Sequence, residues 1–175
     1  MKIVQPALLV CFVAFVLTKP VASQTAPGCG DPKIKFDVTS ARSRRPLPKP
    51  EAGKAIVYFL QDDSEFSSHP RPTTRFGIDG NWVGATQSNA YFYVSVDPGE
   101  HHICAGWQSF VGFTRGHSSG AAHFTAEAGN SYFFVVRDRY IENHAPAGMK
   151  LDSLDSDEGQ LLAGKFSLST AYAKK

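Results

Sequence analysis

The sequence lacks an excess of charge of either sign. Of its 18 lysines and arginines, Lys2 and Lys19 precede residue 24, so the chain from residue 24 onward carries 16 basic and 16 acidic residues. A neutral chain produces no long-range field that would gather nucleic acid or another polyanion. We therefore expect no nucleic-acid partner.

Long apolar runs are also missing, apart from residues 7–17, and this run is too short to cross a bilayer. Lys2 stands ahead of it and Val21-Ala22-Ser23 follows it, a pattern typical of a secretory signal. A buried core helix is the alternative interpretation. We predict that residues 1–23 form a signal peptide, that the protein is secreted to the periplasm or the extracellular space, and that no segment spans the membrane.

Cysteine is scarce, with three residues, and Cys11 lies inside the predicted signal peptide. The two that remain, Cys29 and Cys104, form a disulfide candidate because exported proteins meet an oxidising environment. Cys29 lies in a proline-rich basic arm, residues 24–52, where an isolated thiol would gain little. We predict a disulfide that straps this arm onto the folded domain. A lipid anchor on Cys29 is the alternative, although the apolar run lies too far upstream for a lipoprotein signal.

Motifs for catalysis or cofactor binding are few. Glycine-rich phosphate loops are absent, and His101 and His102 are adjacent in a strand, so they point to opposite faces. The sequence around Ser118 reads G-x-S-x-G, but a nucleophile elbow requires a helix after the serine, and a strand pattern follows here. His117 and His123 could meet, yet a catalytic zinc site needs three protein ligands. We expect no metal, no cofactor and no enzymatic activity; a hydrolase or metal-binding protein that uses His117, Ser118 and His123 is the alternative.

Strand patterns dominate the remainder, above all in residues 74–107. Asp79-Gly80 predicts a tight hairpin turn, and residues 91–96 alternate, with Phe92, Val94 and Val96 on one face and Tyr91, Tyr93 and Ser95 on the other. Pro98-Gly99 predicts a type II turn before a returning strand. Three strand-like runs joined by two turns predict a β-meander.

The other elements follow from the same patterns. We predict a buried strand at 54–60, a polar loop at 61–73, a long loop at 108–121, strands at 124–126, 131–141 and 149–154, and a helix at 156–163 with acids in its first turn. Within the arm, residues 34–38 could form a strand. The fold class is all-β: a small antiparallel β-sandwich with a β-meander core and one short C-terminal helix. This β-sandwich domain spans 53–169, and 170–175 is a flexible tail.

The sequence contains EAGKAIVY at 51–58, GIDGNWVGA at 77–85, VDPGEHH at 96–102 and FTAEAG at 124–129. These pieces, in this order, resemble the bacterial exported proteins grouped as domain of unknown function 2846. The central part, with its strand between two glycine turns, is also similar to the PEGA and carboxypeptidase regulatory-like β-sandwiches, which are non-catalytic modules of envelope proteins. The resemblance implies a small sandwich and supplies no catalytic residues.

Several aromatic residues lie in or beside the predicted meander. If Tyr91 and Tyr93 face away from the core, they form with Trp82 and Trp107 an exposed ledge that could stack on sugar rings or meet a partner protein. The alternative is that a second layer covers this face. We predict a non-enzymatic binding or interaction module of the bacterial envelope, with these four aromatics as binding residues and an envelope protein or glycan as the partner.

Overall fold

The computed structural model describes residues 29–42, 46–67, 70–108, 119–140 and 147–174. The predicted signal peptide, His69, His117, Ser118 and His144 lie outside this part. Its strands are β1 (Phe36–Ala41), β2 (Ala55–Phe66), β3 (Thr73–Ile78), β4 (Asn81–Gln87), β5 (Ala90–Val96), β6 (Gly99–Trp107), β7 (Ser119–Ala126), β8 (Ser131–Tyr140), β9 (Gly148–Leu154) and β10 (Ser167–Ala173), with helix α1 (Ser156–Lys165) between the last two. No helix in these ranges is long and apolar enough to cross a membrane.

The strands form two sheets that pack face to face, which confirms the predicted all-β sandwich. One sheet has six strands in the order β1-β10-β5-β2-β8-β9, and the other has four in the order β4-β3-β6-β7. The prediction of a purely antiparallel structure is wrong, because β2 pairs with β8 and β10 pairs with β5 in parallel. Parallel neighbours need long crossover connections, and here the chain between β2 and β8 builds the whole four-stranded sheet.

The predicted meander is divided between the sheets. Its first turn is confirmed: Asp79 and Gly80 have φ of 50° and 79° and close the β3–β4 hairpin. The second turn, at residues 97–100, joins β5 to β6 but does not pair them, since β5 pairs with β2 and β6 pairs with β3. Phe92 of β5 and Ile103 of β6 both enter the core between the sheets. A period of two identifies the buried face of each strand but not its neighbour.

Aromatic rings fill the space between the two sheets. Phe59 lies 5.0 Å from Phe76, 5.2 Å from Phe92 and 6.4 Å from Phe134, measured between ring centroids. These rings come from β2, β3, β5 and β8, so a single cluster links both sheets. Burying one such side chain stabilises the fold by roughly 1.5–3 kcal/mol.

The outer face of the six-stranded sheet is covered by helix α1. Asp155 caps this helix by accepting hydrogen bonds from the backbone N–H groups of Asp157 and Glu158, at 2.9 and 3.0 Å. Gly159 faces the ring of Phe133, and a Cβ at that position would overlap the ring. The helix is confirmed and extends two residues past the predicted end, to Lys165.

Three predicted loops or tails are strands. β2 continues through the predicted loop to Phe66, and β7 begins at Ser119, inside the predicted long loop. The predicted tail forms β10, which ends at Ala173 and pairs with β1 from Phe36 to Ala41. Strands β1 and β10 lie near opposite ends of the chain and pair with each other, a long-range contact that local sequence patterns do not encode.

Candidate functional site

The arm crosses the outer face of the four-stranded sheet and is fixed there. The structure contains the disulfide between Cys29 and Cys104, whose Cα atoms lie 5.5 Å apart. The indole Nε1 of Trp82 donates to the carbonyl of Asp31 at 2.9 Å. The guanidinium of Arg75 lies 4.3 Å above the Trp82 ring and donates to backbone carbonyls of the arm. Trp82 therefore holds the arm against the sheet.

The four aromatics predicted as a binding ledge do not form one surface. Tyr91 and Trp107 are buried, Trp82 is half-buried under the arm, and Tyr93 alone of the four is exposed, at 38%. The ledge prediction is wrong for Tyr91 and Trp107. Tyr91 lies in the layer between the six-stranded sheet and α1, and Trp107 points inward to a polar cluster between the sheets.

That polar cluster is centred on Asp138 of β8, which is 1% exposed. Its Oδ1 accepts from the indole Nε1 of Trp107 at 2.7 Å, and its Oδ2 accepts from Nε2 of Gln61 at 2.7 Å. The Gln61 Oε1 in turn accepts from the hydroxyl of Thr86 at 2.7 Å. Hydrogen bonds from both sheets thus converge on one carboxyl group.

A second buried carboxyl belongs to Asp63, which is also 1% exposed. Its Oδ1 accepts from the same Nε2 of Gln61 at 3.0 Å, so the two carboxyl groups are neighbours. Burial and the nearby Asp63 raise the pKa of Asp138 to about 8. Burial also raises the pKa of Asp63, although hydrogen bonds and Arg71 oppose this. The pair holds a proton at neutral pH because two adjacent carboxylates cannot both ionise in a dry site.

Asp63 connects this pair to the surface. Its Oδ2 has no hydrogen-bond partner in the described part of the chain, and it lies 3.9 Å from the guanidinium NH1 of Arg71. The backbone N–H of Asp63 donates to the side-chain oxygen of Asn89 at 2.8 Å. These groups border a surface cleft of about 390 Å³, hereafter the Asp63 cleft, which is lined by Asp63, Pro70, Arg71, Gln87, Ser88 and Asn89.

Sequence reasoning missed this pair, although a signal was present. Gln61 and Asp63 continue the inward-facing positions of Val57 and Phe59 along β2, and Asp138 continues those of β8. Polar residues that extend an inward-facing alternation indicate a buried polar cluster, because a sandwich core leaves such side chains no water. The polar composition after residue 60 instead predicts a loop from residue 61.

The histidines do not form a metal centre in the described ranges. His101 Nδ1 lies 2.7 Å from the carboxylate of Asp79, whereas His102 stands opposite His123 across β6 and β7. Among the residues that the structure describes, no three histidine, cysteine, aspartate or glutamate side chains are grouped so that they could hold a metal ion. His117 and Ser118 of the alternative site lie outside those residues, so that hypothesis stays a prediction.

The sequence matches the protein family of unknown function DUF2846 over residues 51–148, which is more than half of the chain. The chain belongs to the DUF2846 family. The match runs from the turn before β2 to the first residue of β9, so the DUF2846 region contains both Asp63 and Asp138. It leaves out β1, the rest of β9, α1 and β10, which complete the six-stranded sheet and its cover. Comparison with the curated proteins and with the solved structures gave no match.

Proposed function

We propose that this DUF2846 protein is a non-enzymatic exported binding module of the bacterial envelope and that its ligand binds in the Asp63 cleft. The observation that carries the proposal is the Oδ2 atom of Asp63. A carboxylate oxygen that is buried and lacks a hydrogen-bond partner costs roughly 1–3 kcal/mol or more. A ligand that donates a hydrogen bond to this oxygen would recover that energy.

The chemistry of the cleft suits a polar ligand. Asp63 offers an acceptor, and Arg71, which lines the same cleft, offers guanidinium donors. Arg71 is held in place, since it donates to the backbone carbonyl of Asp63 and lies over the ring of Phe66. A preorganised donor beside a preorganised acceptor fits groups that both donate and accept, such as sugar hydroxyls or a peptide backbone. This agrees with a glycan or an envelope protein as the partner.

Export is supported by two features, the first N-terminal residues and the disulfide of the arm. The N-terminal residues have the pattern of a secretory signal, and the disulfide joins Cys29 to the sheet. Disulfides persist mainly in oxidising compartments. A cysteine used for this bond carries no lipid, so the proposal favours a protein that is free in the periplasm or outside the cell.

The binding proposal can be tested by titration. Protein purified with its disulfide intact would be titrated with envelope glycan fragments and envelope-derived peptides while amide chemical shifts are recorded. We expect saturable shifts at residues 87–89 that disappear in Asp63→Asn and Arg71→Met. Asp62→Asn, a change at the neighbouring residue of β2, should bind as the wild type does. Shifts that survive Asp63→Asn would place the ligand elsewhere.

A second candidate function is acid–base hydrolysis by the carboxyl pair. The raised pKa of Asp138 favours it, because a protonated carboxyl beside an ionised one is the arrangement that general acid–base catalysis uses. Broad ester, peptide and glycoside panels distinguish the two functions. The binding module should be inert toward all of them. Turnover that vanishes in Asp138→Asn, or in Ser118→Ala, would establish an enzyme.

A further inference from the structure

A proline-rich segment lies against tyrosines on the outer face of the six-stranded sheet. Pro46, Pro48 and Pro50 alternate in the sequence, and residues 46–50 form neither helix nor strand. The hydroxyl of Tyr58 donates to the carbonyl of Pro48, and Leu47 packs into the apolar cluster beneath. Alternating prolines favour the extended polyproline II conformation, whose carbonyl groups remain available to outside donors.

The surface beneath this segment is built from aromatic rings. Tyr58 stacks on Phe133 with centroids 4.8 Å apart and planes 11° from parallel, and it lies 5.7 Å from Tyr93 and 6.4 Å from Tyr91. We call these four residues the tyrosine groove. Burial raises the pKa of Tyr58 to about 12, so its hydroxyl keeps its proton and remains a donor throughout the physiological range. Proteins recognise proline-rich segments with grooves lined by aromatic rings, and a hydroxyl donor can bind the exposed carbonyl groups of such a segment.

The segment is held by side-chain contacts and not by backbone pairing. Among the described residues, no backbone–backbone hydrogen bond joins residues 46–50 to another part of the chain. By contrast, β1 is paired with β10 along its whole length, and Cys29 is fixed by the disulfide. Departure of this segment breaks the Tyr58 contact and the packing of Leu47 but no strand pairing, so the sheet can stay folded when the segment leaves. Beside the segment, an open cleft of about 490 Å³ extends from Pro48 to Ser156 and Gln160 of α1.

We propose that the tyrosine groove is a binding site for a proline-rich extended segment of a partner protein, occupied in the free protein by its own residues 46–50. The internal segment acts as a tethered competitor, because a short tether gives it an effective concentration in the millimolar range. The apparent affinity of a partner is reduced by the fraction of molecules in which the groove is occupied. This site is separate from the Asp63 cleft and does not depend on the function proposed for that cleft.

The test uses a labelled peptide with the sequence of residues 44–52, RRPLPKPEA, and the full chain with its disulfide intact. Leu47→Ser combined with Pro48→Gly weakens the tethered competitor and leaves the groove unchanged. We expect this double variant to bind the peptide at least tenfold more tightly than the wild type. Adding Tyr58→Phe should weaken binding about fivefold, the loss of roughly one hydrogen bond. Tyr172→Phe, on the exposed side of β10, is the matched control and should change nothing.

Two results would overturn the proposal. One is a double variant that melts cooperatively yet does not bind the peptide. The other is equal binding with Tyr58→Phe and Tyr172→Phe, which would show that the peptide attaches elsewhere. If the double variant does not fold, excess peptide would be added to the wild type while the ring signals of Tyr58 are followed by NMR. Unchanged ring signals at saturating peptide would then refute the proposal.

Discussion

Raising the pH from 5 to 8 tests the carboxyl pair between the sheets. Asp63 and Asp138 share the donor Nε2 of Gln61, and burial together with Asp63 raises the pKa of Asp138 to about 8. In the unfolded chain an aspartate titrates near pH 3.9. Between these two values the native protein retains a proton that the unfolded chain has already lost. The contribution to stability is therefore complete below about pH 4 and is lost as the pH rises toward 8.

The magnitude follows from proton linkage. Where the native state binds one proton more than the unfolded chain, each rise of one pH unit lowers the free energy of unfolding by up to about 1.4 kcal/mol. From pH 5 to pH 8 the upper limit is about 4 kcal/mol. In a domain of this size 1 kcal/mol shifts the melting temperature by about 2–4 °C, so the melting temperature should fall by roughly 10 °C.

The assay is urea unfolding at half-unit pH intervals, repeated on variants. Asp138→Asn removes the group with the highest pKa, so we expect most of the slope to disappear. Asp63→Asn removes the charge that opposes ionisation of Asp138. The fall in the free energy of unfolding should therefore begin and end at lower pH than in the wild type. Asp62→Asn, on the same strand, should retain the wild-type slope.

His101 also contributes to the pH dependence of stability, and its effect must be separated from that of the pair. Burial alone would lower its pKa, but hydrogen bonds to the carbonyl of Asp97 and the carboxylate of Asp79 raise it overall. Its stabilising charge is likewise lost as the pH rises, so the series should be repeated in a His101→Gln background. A free energy of unfolding that stays constant or increases from pH 5 to pH 8 in that background would refute the reasoning.

Three further predictions concern packing and the arm. Gly159→Ala should destabilise the protein by about 1–3 kcal/mol, because the added methyl group overlaps Phe133 of the sheet. Gly164→Ala, in open space on the same helix, should stabilise it by up to about 1 kcal/mol. Equal effects of the two variants on urea unfolding would contradict this packing. Cys29→Ser should lower the free energy of unfolding by up to about 4 kcal/mol. Mass spectrometry of the non-reduced protein should show a peptide that links Cys29 to Cys104. Two thiols that can be alkylated would exclude the bond. Trp82→Ala should cost about 1–2 kcal/mol, the sum of one hydrogen bond and one cation–π contact, and an unchanged urea midpoint would show that Trp82 does not hold the arm.

Features set by neighbouring residues were predictable. The turn at Asp79-Gly80 needs only two residues that tolerate positive φ, and helix α1 needs only its cap and acidic first turn. The alternation of β5 also held: Phe92 lies in the core between the sheets, and Tyr91 lies on the outer face. In each case the physical cause acts within one turn or one strand.

The sequence by itself therefore determined the strand faces, the first hairpin, the helix and the family, because these depend on local sterics, on alternation and on ordered motifs. Apart from the β3–β4 hairpin, only the tertiary structure decided which strands became neighbours. It placed β5 and β6 in different sheets and paired β10 with β1. It also brought Asp63 to Asp138 and laid Pro48 on Tyr58. Such contacts depend on how two sheets pack over a shared core, and no single segment contains that information.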